Sequence, residues 1–181
     1  MLKKSNKDLN LTQLISETEI RNKVAEIGEK ISRDYAGRKP ILVGILKGSF
    51  IFLADLVRRL NIEHEIDFMM VASYDEDPYE SGNVKLMMDL GRNISGEDVI
   101  IVEDVVDSGK TLNYIYHNLL MRKPRSLEIV SLLDKPGRRE IDLDIKYTGF
   151  EIPNRFVVGY GLDEAEMYRG LPYVAVRSEK G

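Results

Sequence analysis

The chain has 181 residues, and its 26 Lys and Arg against 30 Asp and Glu give a net charge of −4, which argues against a general nucleic-acid-binding surface. The absence of cysteine excludes disulfides, thiol catalysis and cysteine-ligated zinc, and only two histidines are present. The N-terminal lysines precede no apolar segment, and no apolar run is long enough for a bilayer span. We therefore expect one domain in the cytoplasm.

The first half of the chain predicts a helix, a strand and a helix. Residues 1–15 are typical of a loosely ordered arm. Ser16 and Glu19 have the spacing of a capping box, and apolar residues at helical spacing follow them. A buried strand is predicted at 41–46, and a second helix at about 50–60.

The middle of the chain predicts a long hairpin. Strands at about 63–72 and 84–90 flank residues 73–83, which are strongly polar. A loop of this length in a compact domain is usually functional or disordered.

The second half repeats strand, turn and helix. After a strand from Val99 and a helix at about 109–122, we expect strands at 127–133, 145–148, 156–159 and 172–177. With no linker rich in Gly or Ser, this order predicts an α/β fold with a central, mostly parallel sheet flanked by helices. In such sheets ligands bind beyond the carboxyl ends of the strands.

Residues 99–112 are the most informative segment. The β-branched run from Val99 predicts a buried strand that ends at the adjacent carboxylates Glu103 and Asp104. A polar turn follows at 107–111 and opens a helix, where backbone N–H groups and the helix dipole favour a phosphate. The acids suit neighbouring sugar hydroxyls, or a magnesium ion that those hydroxyls also contact.

Other interpretations of this segment compete with a phosphate and sugar site. A Walker A loop also ends in Gly-Lys-Thr, but it needs glycine where Asp104 stands, and a carboxylate there would repel a triphosphate. A helix capped by Asp107 or Ser108 without a ligand needs only one such residue, whereas five polar positions align here. Taken alone, the acids would form a solvated loop or pair with Lys or Arg.

Residues 99–112 resemble the phosphoribosyl-pyrophosphate signature of the type I phosphoribosyltransferases. Four further segments are similar to the hypoxanthine-guanine branch of that family, and the resemblance runs from about residue 12 to 178. These segments are Leu46-Lys47-Gly48, Ser73-Tyr74, Leu133-Asp134-Lys135-Pro136, and Phe156 to Asp163 with Arg169. The resemblance implies the type I phosphoribosyltransferase fold as one domain over 1–181. Its core would span about 36–155, and a small hood lobe would come from about 1–35 and 156–181.

The implied activity is purine salvage. The family transfers the 5-phosphoribosyl group from phosphoribosyl pyrophosphate to hypoxanthine or guanine, giving IMP or GMP and pyrophosphate, with Mg²⁺ as cofactor. It also implies a homodimer or homotetramer, and the acidic chain gives no reason to expect a nucleic-acid or membrane partner.

The resemblance assigns the ribose and phosphate contacts to one segment. Glu103 and Asp104 would hold the ribose 2′- and 3′-hydroxyls, directly or through Mg²⁺. Asp107 would help to bind the 5′-phosphate and would lie near N7 of the purine as general base or acid. The other 5′-phosphate contacts would come from Ser108, Gly109, Lys110 and Thr111.

The pyrophosphate contacts are implied elsewhere. Lys47 and Gly48 would bind pyrophosphate, with a cis peptide bond between Leu46 and Lys47. Arg169 would add positive charge, and Asp163 would bind a second Mg²⁺. These groups would stabilise the anionic leaving group.

The flexible loop would carry Ser73 and Tyr74 and would close over the reaction. Because the transition state has oxocarbenium character and water would trap it, such a lid is useful.

The purine would be held by Lys135, Phe156 and Val157, with Asp163 near enough to affect base choice. Lys135 would donate to the 6-oxo group, and adenine would be rejected because its amino group would face an ammonium. Phe156 would stack on the base, and the Val157 backbone would meet its other polar edge.

Without the resemblance these residues have plainer interpretations. The pattern at Phe156 favours a core position, and Lys135 before Pro-Gly is typical of a surface turn. Asp163, Glu164 and Glu166 alone would form a solvated acidic face. No role is assigned to Arg138, Arg139, His64 or His117.

Two other functions use the same fold. A regulatory protein that senses phosphoribosyl pyrophosphate and binds RNA or DNA would be expected to have a basic face and often an added segment, which this acidic chain does not suggest. A pyrimidine enzyme is disfavoured by the segments at Lys135 and at Phe156-Val157.

Overall fold

The computed structural model describes residues 11–73 and 84–177. Its strands are β1 (Leu11–Ile15), β2 (Ile41–Leu46), β3 (Glu65–Ser73), β4 (Val84–Met88), β5 (Asp98–Val106), β6 (Ser126–Asp134), β7 (Tyr147–Glu151), β8 (Val157–Val158) and β9 (Val174–Arg177). Its helices are α1 (Glu17–Asp34), α2 (Phe50–Val57) and α3 (Lys110–Leu120), and Pro136–Arg138 form a short 3₁₀ turn. The α/β class is confirmed.

The main sheet has the strand order β4-β3-β2-β5-β6-β7. β2 pairs in parallel with β3 and β5, and β6 pairs in parallel with β5 and β7. β4 runs antiparallel to β3, as the predicted hairpin requires. The prediction of a central, mostly parallel sheet is therefore confirmed.

A second, antiparallel sheet has the order β1-β9-β8. The prediction of a loosely ordered arm is wrong for residues 11–15, because these form β1 and bury Leu11 and Ile15. The two polar residues after Leu11 give this short strand little apolar pattern, and its pairing partner lies at the other end of the chain.

Two apolar clusters cover the two faces of the main sheet. Alternate residues of β2 point to opposite clusters, Leu42 to one and Ile41 to the other. The Leu42 cluster contains the buried faces of α1 and α2, and the Ile41 cluster contains the buried face of α3. Val174 of β9 belongs to the Leu42 cluster, so the small sheet packs on the same core. The division into a core and a hood lobe stays a prediction.

The capping box at the start of α1 is confirmed. Glu19 accepts a hydrogen bond from the Ser16 N–H at 2.8 Å, and Ser16 Oγ accepts one from the Glu19 N–H at 3.3 Å. Among the residues described, none of the helices has the length and apolar character needed to cross a bilayer.

Candidate active site

Three adjacent parallel strands end beside one another at the carboxyl edge of the main sheet. β2, β5 and β6 are neighbours, and they lead directly into Lys47, Asp107 and Lys135. The Lys135 N–H donates to the Val106 carbonyl at 3.0 Å, which fixes the end of β6 against the end of β5. The topology thus brings together residues that are far apart in sequence.

A cavity of about 330 Å³ opens at this edge. Its lining consists of Lys47, Gly48, Asp104, Val105, Asp107, Lys135, Phe156, Val157, Leu162, Asp163 and Arg169. Most of the residues predicted to bind pyrophosphate, ribose or base therefore face one space. A larger cavity, of about 550 Å³ between α1, α2 and residues 170–172, contains none of the predicted site residues.

Asp107 lies between two cations. Its Oδ2 accepts from Lys135 Nζ at 3.0 Å, and its Oδ1 accepts from Arg138 Nε at 2.8 Å. Burial raises the pKa of Asp107, but the two cations outweigh it and hold the pKa below its ordinary value. The carboxylate is therefore ionised and ready to accept a proton.

The plainer interpretations of Lys135 and Phe156 are wrong. Lys135 is only 7% exposed, so it is not a surface turn lysine. Phe156 is 60% exposed and lines the cavity, so it is not a core residue. An exposed ring next to a buried ammonium fits a flat ligand with a polar edge.

The prediction that the strand ends at Glu103 and Asp104 is wrong, because β5 continues to Val106 and both acids lie inside it. Of the two acids, only Asp104 lines the cavity. Burial, and for Glu103 also the neighbouring Asp104 carboxylate, raise the pKa of both groups. Within the described residues, Glu103 Oε2 is buried without a hydrogen-bond partner.

Position 48 requires glycine because the backbone there packs closely against Asp104. A Cβ at Gly48 would overlap Asp104 Oδ2. Gly161 makes a similar approach from the other side: its φ is +102°, and a Cβ there would overlap the Gly48 carbonyl oxygen. The peptide bond between Leu46 and Lys47 is cis, as the resemblance predicts.

The predicted phosphate turn leads into α3 through Gly109, whose φ is +86°. The N-cap residue Gly109 makes no side-chain cap bond, and Ser108 Oγ accepts a long hydrogen bond of 3.4 Å from the Lys110 N–H. Asp107 is instead paired with Lys135 and Arg138. The other N–H groups of the first turn can be donors to an anion.

Asp163 and Arg169 form the far wall of the cavity. Arg169 Nη2 lies 2.8 Å from Asp163 Oδ1, and Arg169 Nη1 donates to the Gly161 carbonyl at 2.8 Å. Arg169 Nη2 and Lys47 Nζ also contact Glu166. Because Asp163 lines the cavity and pairs with Arg169, the interpretation of a merely solvated acidic face is wrong for Asp163, whereas the Glu166 side chain is 67% exposed.

Some predicted residues do not reach the cavity. The described residues that line it do not include Glu103 or residues 108–111. Ser73 is the last residue of β3, while Tyr74 and the rest of the loop at 73–83 lie outside the described residues.

Arg138 and Glu166 are the charged residues that the sequence interpretation missed. Each lies three positions after a predicted site residue, Lys135 or Asp163, and pairs with another predicted site residue, Asp107 or Lys47. The sequence signal that could have indicated them is a charged residue three positions after a site residue, within a Pro-Gly turn or an irregular loop.

The donor set fits a hard divalent cation. Glu103 and Asp104 are adjacent carboxylates whose pKa values are raised chiefly by burial, and Glu103 Oε2 is a buried acceptor without a hydrogen-bond partner among the described residues. In residues 11–73 and 84–177, no three metal-ligating side chains cluster together. This arrangement suits Mg²⁺, which typically uses one or two carboxylates together with substrate oxygens and water.

Comparison with known proteins identifies the class. Residues 11–165 match the family described as the phosphoribosyl transferase domain, so the chain belongs to the phosphoribosyltransferase family. A relative of similar length is the hypoxanthine phosphoribosyltransferase of Salmonella typhimurium, which is 48% identical over 163 residues covering 89% of this chain and 92% of that protein.

Two further comparisons agree. The bifunctional protein TilS/HprT of Listeria monocytogenes is 46% identical over 90% of this chain, and the chain spans 25% of the length of that protein. The crystal structure of a hypoxanthine phosphoribosyltransferase from Staphylococcus aureus superposes with a TM-score of 0.92 at 45% identity, covering 97% of this chain and 96% of that one. These comparisons confirm the predicted resemblance to the hypoxanthine-guanine phosphoribosyltransferases and the predicted fold.

Proposed function

We propose that the protein transfers the 5-phosphoribosyl group of phosphoribosyl pyrophosphate to hypoxanthine or guanine, giving IMP or GMP and pyrophosphate in purine salvage. The observation that carries this proposal is the 3.0 Å contact between buried Lys135 and Asp107 in a cavity whose mouth holds an exposed Phe156. A donor next to a proton acceptor matches the 6-oxo group and N7 of an oxopurine.

The base is recognised by a paired donor and acceptor. Lys135 donates to the 6-oxo group, and Asp107 accepts the proton from N7 as N9 forms its bond to ribose C1. Adenine would place an amino donor against the Lys135 ammonium, leaving a buried donor unpaired. Phe156 covers the flat face of the ring, and Val157 meets its remaining polar edge.

The leaving group is stabilised by charge. As the bond between ribose C1 and the pyrophosphate oxygen breaks, negative charge collects on the pyrophosphate, where Lys47, the Gly48 N–H and Arg169 can bind it. The ribose 5′-phosphate sits at the turn of residues 108–111, where the first turn of α3 offers backbone donors.

Mg²⁺ is the proposed cofactor. Glu103 and Asp104 would hold it together with the ribose hydroxyls, and Asp163 would hold a second ion. Bound there, Mg²⁺ would neutralise the pyrophosphate oxygens and the paired carboxylates.

A spectrophotometric assay tests the proposal. Hypoxanthine, guanine, xanthine and adenine are each incubated with the protein, phosphoribosyl pyrophosphate and Mg²⁺. Turnover of hypoxanthine or guanine with little or none of adenine supports the proposal. Failure to convert any of the four bases, by protein whose circular dichroism shows a folded α/β domain, contradicts it.

We also propose that the protein works in the cytoplasm as a homodimer or homotetramer. The cysteine-free composition supports a reducing compartment. Exposed apolar side chains on α2, β3 and the edge strand β4 support self-association: Phe50, Ile66, Met87 and Met88. Light scattering tests this, and a monomer at micromolar concentration contradicts it.

A further inference from the structure

The carboxylate of Glu166 lies between the two cations that face the pyrophosphate end of the cavity. Lys47 Nζ lies 3.1 Å from each Glu166 oxygen, and Arg169 Nη2 lies 3.4 Å from Oε2. These contacts come from different parts of the chain, because Lys47 follows β2 whereas Arg169 lies beyond Asp163. One anion therefore bridges two segments that are distant in sequence.

The backbone holds Glu166 in this position. Ala165 has φ +50°, Glu166 φ +63° and Tyr168 φ +76°, all in the left-handed region that residues with a Cβ seldom adopt. The Glu166 N–H donates to Asp163 Oδ2 at 2.8 Å. Such a run of unfavourable dihedral angles persists only where the surroundings require it, and it clusters at functional sites.

We propose that Glu166 is a positioning residue that takes the place of the pyrophosphate group in the free protein and is displaced when phosphoribosyl pyrophosphate binds. This inference rests on the proposed function, since it assumes that Lys47 and Arg169 bind the diphosphate. A carboxylate offers two oxygens to the same donors that would meet two phosphate oxygens. It keeps both cations directed at the subsite until a diphosphate displaces it.

The strength of the contact suits displacement. The Lys47 and Glu166 side chains are 52% and 67% exposed, so water screens their attraction, and such pairs are weak. The carboxylate must nevertheless move or share its donors when a diphosphate arrives. Arg169 is also paired with Asp163 at 2.8 Å, so loss of Glu166 leaves it with an anionic partner.

Glu166→Gln tests the proposal, with Glu164→Gln as the matched control. Glu164 lies in the same loop, but its carboxylate pairs with Arg177 rather than with Lys47 or Arg169. The probe is inorganic pyrophosphate with Mg²⁺, titrated calorimetrically. Because removing the carboxylate frees Lys47 and leaves Arg169 with Asp163 as its remaining anionic partner, we expect the Glu166→Gln Kd for pyrophosphate to fall roughly three- to tenfold, and the gain to shrink in high salt.

Kinetics add a second readout. The KM for phosphoribosyl pyrophosphate falls by a similar factor in Glu166→Gln, while the KM for hypoxanthine does not change. If Glu166 had only a structural role, its substitution would lower the Tm and would weaken the binding of both substrates together. Glu166→Gly serves as a second variant if Glu166→Gln folds poorly, because glycine adopts the left-handed backbone conformation readily. We expect it to show the same gain in pyrophosphate affinity.

The outcomes separate this inference from the proposed function. Pyrophosphate binding that is unchanged or weaker in both Glu166 variants overturns the inference, as does an equal gain in Glu164→Gln. If the unaltered protein binds neither pyrophosphate nor phosphoribosyl pyrophosphate, the proposed function itself fails.

Discussion

Lys135 and Asp107 meet across the ends of two neighbouring parallel strands, with Nζ 3.0 Å from Oδ2. The register of β5 and β6 pairs Val106 with Asp134, so the residues that follow each strand emerge side by side. The contact joins a buried donor to an ionised acceptor in one cavity. This pair is the basis of the proposed base recognition.

Asp107→Asn should retain phosphoribosyl pyrophosphate binding and lose turnover. The amide keeps the size of the side chain but cannot accept a proton, and loss of a general base typically slows a reaction roughly 100- to 10,000-fold. Steady-state kinetics and calorimetry measure the two effects. Asp144→Asn, an exposed carboxylate, is the control. Normal turnover by Asp107→Asn would rule out its proposed role.

Lys135→Gln should weaken discrimination between hypoxanthine and adenine. Gln can accept as well as donate, so the penalty for an amino group at the 6-position is reduced. We expect the ratio of kcat/KM for the two bases to fall at least about tenfold. Lys39→Gln, which changes an exposed lysine paired with Glu65, should leave the ratio unchanged. An undiminished ratio in Lys135→Gln would show that another group selects the base.

Arg138→Gln should move the acidic limb of the pH profile to higher pH. Lys135 and Arg138 together hold the pKa of Asp107 below its ordinary value, against the effect of burial. With the pKa lowered, Asp107 stays ionised until the pH falls through that value, and loss of one cation lets it protonate earlier. The dependence of kcat/KM on pH measures the shift, with Arg33→Gln on α1 as control. A profile that moves to lower pH would contradict this electrostatic account.

Glu103→Gln should stabilise the protein at neutral pH in the absence of ligands. Burial and Asp104 raise the pKa of Glu103, so its ionisation opposes folding. The free-energy cost of ionising buried Glu103 is absent when the pH is below the ordinary carboxyl pKa and complete when the pH is above the raised pKa. The extra stability of Glu103→Gln should therefore vanish in acid. Each kcal/mol gained in the free energy of unfolding corresponds to a rise of about 2–4 °C in Tm for a chain of this size.

The same variant tests the metal. Mg²⁺ with phosphoribosyl pyrophosphate should raise the Tm of the unaltered protein more than that of Glu103→Gln, because the cation offsets a repulsion that the amide lacks. Glu29→Gln, an exposed change on α1, is the control for both measurements. A lower Tm for Glu103→Gln at neutral pH would contradict the prediction.

Gly48→Ala should abolish most activity. The added methyl group would overlap the Asp104 carboxylate, so the turn that carries Lys47 must shift. A displacement of about 1 Å at a reacting centre commonly costs roughly 100-fold in rate. Gly91→Ala has open space around its Cβ and should behave like the unaltered protein. Equal kcat/KM values for the two variants would show that the close packing is unimportant.

The sheet and the strand ends at Lys47 and Lys135 were predictable, because apolar runs, turns and helix signals follow local rules. β1 was missed because its stability comes from pairing with β9 at the far end of the chain. The continuation of β5 beyond Asp104 to Val106 was missed because acids within a strand resemble a strand end unless the partner strand is known.

The contacts made by charged side chains were the least predictable part of the site. Arg138 and Glu166 lie in irregular turns, where the backbone dihedral angles decide which way a side chain points. The exposure of Phe156 depends on the packing of the segment before β8, and its apolar neighbours in sequence suggested the opposite. The roles assigned to the site residues stay predictions until the variants are measured.

The most direct test of the central claim follows the atoms of the reaction. Hypoxanthine, phosphoribosyl pyrophosphate and Mg²⁺ are incubated with the protein, and hypoxanthine, IMP and pyrophosphate are quantified by chromatography over time. The proposal predicts that IMP and pyrophosphate form in equal amounts as hypoxanthine disappears, and that Asp107→Asn forms almost none. Pyrophosphate released without IMP, or no change in hypoxanthine, would contradict the assignment.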